Sequence, residues 1–268
     1  MRDKVVVITG SSSGIGEALA YKFATKGSKV VIGARNTEAL QRVATKIEEG
    51  GGSVVWQQTD VTNEADCKNL ILKAVDTYGK VDVLINNAGV SMRALFNDLD
   101  LKVLKHVMDV NFWGAVYCTK YALPYLLEQG GSVVGVSSIG GIKGLPGRSG
   151  YSASKFAMNG FMESLRTENL KTGLHVLMAF PGFTASNIRN AALGADGSMQ
   201  GESPRNEDKM MTAEEVADQI YIAVVNRNNK IVLTLQGKII NVLGKIFPGW
   251  TDKMIFKGMA KETGSPFK

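Results

Sequence analysis

The feature that most constrains this chain is a regular alternation, running from its first residues to about residue 235, of short β-branched apolar runs with longer stretches of helical period. Alternation of this kind marks βαβ units, which feed a parallel sheet because a parallel neighbour is reached only by a crossover connection. Strands are expected at Lys4 to Thr9, Lys29 to Ala34, Ser53 to Gln58, Val81 to Asn86, Ser132 to Ser137, His175 to Ala179 and Ile231 to Leu235. The intervening segments, such as Gly14 to Lys26 and Tyr151 to Lys171, are long enough for right-handed crossover helices on both faces. The expected fold is therefore α/β, a doubly wound sheet of seven parallel strands. Residues 1–236 form its one domain, and 237–268 form a C-terminal helical extension of it. Thr212, followed three residues later by Glu215, reads as a capping box opening a helix that ends near Asn226. The polar stretch Ala195 to Lys209 before it reads as a long mobile loop, beyond a strand's carboxyl end, where such sheets bind ligands.

Composition narrows the setting. A chain of 268 residues, 44% hydrophobic and 21% charged, suits one compact domain. Its two cysteines, Cys67 and Cys118, fall in segments read as helices, which supports neither a disulfide framework nor a cysteine metal site and suggests the reducing cytoplasm. No basic, apolar and small-residue succession precedes the first strand, so no secretory signal is read. No apolar run approaches the roughly 20 residues that span a bilayer. His106 and His175 are single and far apart, so no metal is expected. Asp82 and Asp109 read as solvated or strand-end residues. The net charge of +6 is unevenly placed: beyond Asn226, eight basic residues (Arg227, Lys230, Lys238, Lys245, Lys253, Lys257, Lys261 and Lys268) face only Asp252 and Glu262. No nucleic-acid-binding motif accompanies this basic end, and no nucleic-acid partner is expected.

The first strand runs into Gly10-Ser11-Ser12-Ser13-Gly14-Ile15-Gly16 and then a helix. Glycines let the main chain approach a pyrophosphate, and the free N–H groups and dipole of a helix start attract its charge. The end of the second strand discriminates between dinucleotides. An acid there would meet the ribose hydroxyl of NAD, whereas a cation accommodates the 2′-phosphate of NADP. This chain has Ala34 followed by Arg35, whose planar guanidinium suits a phosphate, so NADP(H) is the expected cofactor.

The spacing Gly-x-x-x-Gly-x-Gly resembles that of the short-chain dehydrogenase/reductase family, and further elements extend the resemblance over residues 4 to about 235. Asn86-Asn87-Ala88-Gly89 is similar to the family's Asn-Asn-Ala-Gly element, which supports the sheet and the adenosine pocket. Asp60-Val61 resembles the pair that meets the adenine ring. Pro181-Gly182-Phe183-Thr184-Ala185-Ser186 resembles the segment against the nicotinamide, with Ser186 in place of the usual threonine. The resemblance implies a Rossmann-type fold, cofactor contacts from Gly10, Ser12, Ser13, Gly14, Ile15, Gly16, Arg35, Asp60, Val61, Asn87, Ala88, Gly89, Pro181, Gly182, Thr184 and Ser186, and a homo-oligomer, dimer or tetramer.

Tyr151 and Lys155 stand four residues apart on an expected helix, so their side chains share one face. A phenol titrates near 10 alone. A neighbouring ammonium and a positive nicotinamide ring both favour the phenolate, which lowers that value toward working pH. Ser138 lies thirteen residues before Tyr151, just past the fifth strand, and resembles the family's catalytic serine. The neighbouring Ser137 is the residue most easily mistaken for it. By the resemblance Ser138 orients the substrate oxygen, Tyr151 exchanges the proton, Lys155 holds the ribose and tunes Tyr151, and Asn111 bends its helix and positions a water. The expected reaction interconverts a ketone and a secondary alcohol with NADP(H), without a metal. An NAD-linked alcohol dehydrogenase and a non-catalytic dinucleotide-binding regulator are the alternatives.

From Gly237 to Ala260 the chain is densely apolar and interleaved with lysines, and Pro248-Gly249 should split it into two helices. Three roles are open to it: covering the substrate pocket, meeting a partner subunit, or lying on an anionic membrane surface. As a pocket wall it implies an apolar substrate of steroid-, retinoid-, sphingoid- or acyl-like type.

Overall fold

In the computed structural model, which describes residues 1–185, 188–201 and 210–267, seven strands form one parallel sheet in the order β3-β2-β1-β4-β5-β6-β7. In chain order the elements are β1 (Val5–Thr9), α1 (Gly14–Thr25), β2 (Lys29–Ala34), α2 (Thr37–Glu49), β3 (Ser53–Gln58), α3 (Glu64–Tyr78), β4 (Val83–Asn86), α4 (Leu101–Met108), α5 (Gly114–Gln129), β5 (Ser132–Val136), α6 (Ser149–Glu168), β6 (His175–Phe180), α7 (Ala213–Val225), β7 (Lys230–Val232), α8 (Leu235–Ile246) and α9 (Pro248–Ala260). The order reverses between β1 and β4, which opens a crevice at the carboxyl ends of the strands.

Alternation along each strand divides the core. Val6 and Ile8 of β1 join Val30 and Ile32 of β2 beneath α1, α2 and α7. Val5, Val7 and Val31 turn the other way, onto α3, α5 and α6. A strand covered on both faces has no solvent side, which is why these runs are continuously apolar. The far end of the sheet is tied by Asp82. Its carboxylate accepts from Val5 N–H at 2.9 Å and pairs with Lys4 at 2.7 Å and Lys80 at 3.1 Å. Of the two readings open to Asp82, solvated or strand-end, the second holds: the residue is buried directly before β4, which starts at Val83 rather than Val81. His175 is a core residue whose ring meets Ser132 and the Asn228 carbonyl.

The capping box forms at Thr212 and Glu215, and Pro248 opens α9. The seventh strand differs as well. The seventh strand was expected to run to Leu235, but the Thr234 hydroxyl accepts from Gly237 N–H at 3.1 Å and starts α8 at Leu235. Of the expected mobile loop, 202–209 lie outside the described residues. Its described part is tied down, with Asp100 N–H donating to the Ala195 carbonyl at 2.9 Å and Gly194 N–H to that of Ser198 at 2.7 Å.

Candidate active site

A cavity of about 480 Å³ follows the carboxyl edge of the sheet. At one end is the turn after β1, where Gly10 and Gly14 take φ of 67° and 57°. A Cβ on Gly10 would come within 2.8 Å of Ala88 Cα, and one on Gly16 would overlap the Gly10 carbonyl. Main chain therefore packs against main chain here, and Gly10, Ser12, Ser13, Gly14 and Ile15 line the cavity, while Gly16 is buried beneath them in α1. The turn is held from β4. Asn87 Nδ2 donates to the carbonyls of Thr9 (2.9 Å) and Gly10 (3.2 Å), and the Thr9 hydroxyl accepts from the N–H groups of Asn87 and Ala88. Main-chain N–H groups in a glycine-rich turn at a helix start are what a dinucleotide pyrophosphate requires.

Arg35, Asp60, Val61, Asn87, Ala88 and Gly89 also line the cavity. Arg35 is exposed at its lip, and no salt bridge among the described residues engages its guanidinium. Burial pushes the Asp60 carboxyl up, but hydrogen bonds from Thr62 and the charge of Arg35 outweigh it and hold Asp60 below its ordinary value.

The other end is built on α6. Tyr151 and Lys155 are buried on the helix face that meets the cavity, and Lys155 Nζ lies 5.9 Å from the centre of the Tyr151 ring. Lys155 donates to the Val136 carbonyl at 2.9 Å, and burial pulls its pKa down from 10.5 to about 8. The two candidate serines separate by their partners. Ser137 donates to Asn159 Oδ1 at 2.9 Å, whereas Ser138 Oγ accepts from Gly140 N–H at 3.1 Å and lines the cavity beside Tyr151. Tyr151 departs from expectation. Burial raises its pKa above 10, although the Ser138 hydrogen bond and the charge of Arg148 work against it. With Lys155 turned to the Val136 carbonyl, desolvation of the phenolate is the stronger effect.

Asn111 does not reach the cavity. It lies buried in a π-helical turn, Asp109–Trp113, between α4 and α5. There it accepts from Val90 N–H at 2.8 Å and donates to the Val90 carbonyl and to Ser154 Oγ, both at 2.9 Å. It thus joins the loop after β4 to α6, one residue from Lys155. Pro181, Gly182 and Thr184 line the cavity beyond β6, and Ser186 lies outside the described residues. No cluster of metal-ligating side chains occurs among the described residues.

Sequence reasoning missed Arg148. This residue is buried, stands directly before the first residue of α6 and lines the cavity with Leu145, Phe183, Ile188 and Arg189. No motif marks it; its only signal was its place three residues before Tyr151. Glu262, beyond α9, sits between Arg148 Nη2 (3.2 Å) and Arg93 Nη2 (3.6 Å), and all three side chains are nearly buried. Of the three roles open to the tail, direct lining of this cavity is not seen: among the described residues none of the tail lines it. Ile240, Ile255 and Met259 instead pack behind Leu145 and Phe183, at the rim.

Comparison with known proteins settles the family. The model of the short chain dehydrogenases matches residues 4–195. The chain belongs to this family. As a short-chain dehydrogenase it is an oxidoreductase acting on CH–OH groups. It is 34% identical over 97% of its length to an uncharacterized oxidoreductase of Bacillus subtilis, spanning 73% of that protein. It is 42% identical to 11-beta-hydroxysteroid dehydrogenase-like 2 of Arabidopsis thaliana over 69% of its own length and 60% of that protein's. Among solved structures, a short-chain dehydrogenase/reductase from Burkholderia phymatum in complex with NAD superposes with a TM-score of 0.82 at 25% identity, covering 93% of this chain and 95% of that one. An alcohol dehydrogenase from Thermococcus sibiricus has the same fold, with a TM-score of 0.77 at 24% identity over 87% of this chain and 96% of its own.

Proposed function

We propose that this dehydrogenase interconverts an apolar ketone and its secondary alcohol with NADP(H). The observation that carries the reading is the convergence of Ser138, Tyr151 and Lys155 on one cavity whose far end is the glycine turn and whose lip holds Arg35. NADPH, when bound, supplies the hydride. The main-chain N–H groups from Ser12 to Ile15 would hold its pyrophosphate, with Gly16 beneath them, and Arg35 its 2′-phosphate. Asp60, Val61, Asn87, Ala88 and Gly89 would hold the adenosine, Lys155 the ribose, and Pro181, Gly182 and Thr184 the nicotinamide side. Ser138 orients the carbonyl oxygen. Tyr151 delivers the proton to that oxygen, and the raised pKa of its phenol keeps the proton available for reduction. Lys155, which titrates near 8, is poised to pass a proton on. Asn111 acts at one remove, by fixing α6 against the loop after β4.

The apolar walls contributed by Leu145, Phe183, Ile188 and Ala191 support an apolar ketone, as does the likeness to proteins named hydroxysteroid dehydrogenases. A panel of apolar and polar ketones, assayed with NADPH and with NADH, tests the reading. Arg35→Asp should weaken NADPH by roughly a few kcal/mol and NADH much less. Equal losses for both would overturn the NADP assignment. Turnover of no ketone or alcohol with either cofactor would overturn the catalytic one.

A further inference from the structure

We infer that the outward face of α8 and the corner after it form a docking surface for an anionic lipid bilayer. A surface helix normally turns one apolar stripe inward. This helix has two. Gly237 and Ile240 are buried toward Ile139, yet Leu235, Ile239, Val242 and Ile246 stand 74%, 43%, 54% and 61% exposed on the other side. Their spacing of four, seven and eleven residues from Leu235 aligns them in one stripe. It continues into the corner, where Phe247 and Trp250 are more than half exposed.

Charge decides what covers the stripe. Lys238 and Lys245 flank it, Lys253 and Lys257 follow on α9, and none of the four is in a salt bridge among the described residues. The single acid of α8 and α9, Asp252, is taken by Lys143 at 2.7 Å. A two-fold contact between copies would set the patch against itself, lysines against lysines with no free acid to pair. Anionic headgroups answer every lysine while the acyl boundary takes the aliphatic stripe, and an exposed tryptophan beside phenylalanine suits the same boundary. No described helix is long and apolar enough to cross a membrane, so α8 lies along the surface.

The placement has a functional consequence, which rests on the apolar-ketone reading. The inner faces of α8 and α9 pack on Leu145 and Phe183 of the cavity rim, about one helix diameter of 10 Å from the lipid-facing stripe. A bilayer-dissolved substrate would thus be presented next to the cavity.

Co-sedimentation of the full chain with phosphatidylcholine vesicles, with and without phosphatidylserine, tests the docking. Binding is expected to the anionic vesicles at low salt and to fall at about 0.5 M salt. Ile239→Glu with Val242→Glu, and separately Lys238→Glu with Lys245→Glu, should each weaken it by roughly tenfold or more. All of these positions are exposed, so melting temperature and turnover of a water-soluble ketone should hold. Failure of the unaltered chain to bind anionic vesicles, or equal binding by the apolar double variant, would overturn the inference. So would a gel-filtration shift from dimer to monomer in that variant with no vesicle binding, which would assign the stripe to a second copy. If vesicles bind but no ketone is turned over, only the substrate consequence falls.

Discussion

At the glycine end of the cavity, Gly10, Gly14 and their neighbours present main chain, held by Asn87 from the adjacent strand. At the Tyr151 end, Leu145, Arg148 and Phe183 present side chains from separate segments, held from behind by α9 and Glu262. The glycines of the first wall admit little substitution, because a Cβ on Gly10 or Gly16 would strike backbone. The second depends on contacts across more than a hundred residues, as between Arg148 and Glu262. A cofactor that never changes can be met by a rigid wall. A wall of side chains from separate segments can be rebuilt, as a choice of substrate would require.

Three experiments press on that contrast. Tyr151→Phe removes one hydroxyl and should lower turnover by about a hundredfold to ten-thousandfold, while NADPH affinity stays nearly unchanged because the glycine end is untouched. Substantial turnover of a good ketone by this variant would remove Tyr151 from the chemistry.

Glu262→Ala should act on the other wall. Arg93 and Arg148, each with side chains 8% exposed, would lose the carboxylate between them, at a cost of about 3 kcal/mol. A melting temperature lower by roughly 6 to 12 °C is expected, with KM raised for bulky ketones and NADPH affinity unchanged. An unaltered melt and KM would mean that the tail does not brace the cavity.

Lys155→Met should abolish turnover yet stabilise the fold, by about 2 kcal/mol near pH 7 after the lost hydrogen bond to Val136 is allowed for. The folded chain holds the Lys155 proton only up to about pH 8, the unfolded chain up to its ordinary 10.5. Between these values the unfolded state binds more protons, so the unaltered protein gains stability as pH rises through this window. Denaturant melts at pH 7 and 10 should therefore show the variant's advantage shrinking. A constant difference would mean that the lysine is not buried as a costly cation.

The sheet was legible because its central strands are buried on both faces. A β-branched run located β2 at both ends, and Pro248 located the break between α8 and α9. The glycine turn was legible for a related reason, since close main-chain approach admits one residue type. Thr234 was not read as a cap, because a lone threonine after a strand signals nothing until the chain turns. The pKa of Tyr151 could not be read either: its sign depends on whether burial or the Lys155 charge wins, and Lys155 spends its donor on Val136.

By itself, then, the sequence determined the order of elements, the dinucleotide turn, and the spacing of Ser138, Tyr151 and Lys155, all set by local geometry or by burial along one strand. Only the tertiary structure decided that Arg148 faces Tyr151, that Glu262 holds it, and that the tail backs the cavity while leaving an aliphatic stripe outward. The physical reason is that such contacts join segments far apart in the chain, and no local period records which face of a helix a distant carboxylate will meet.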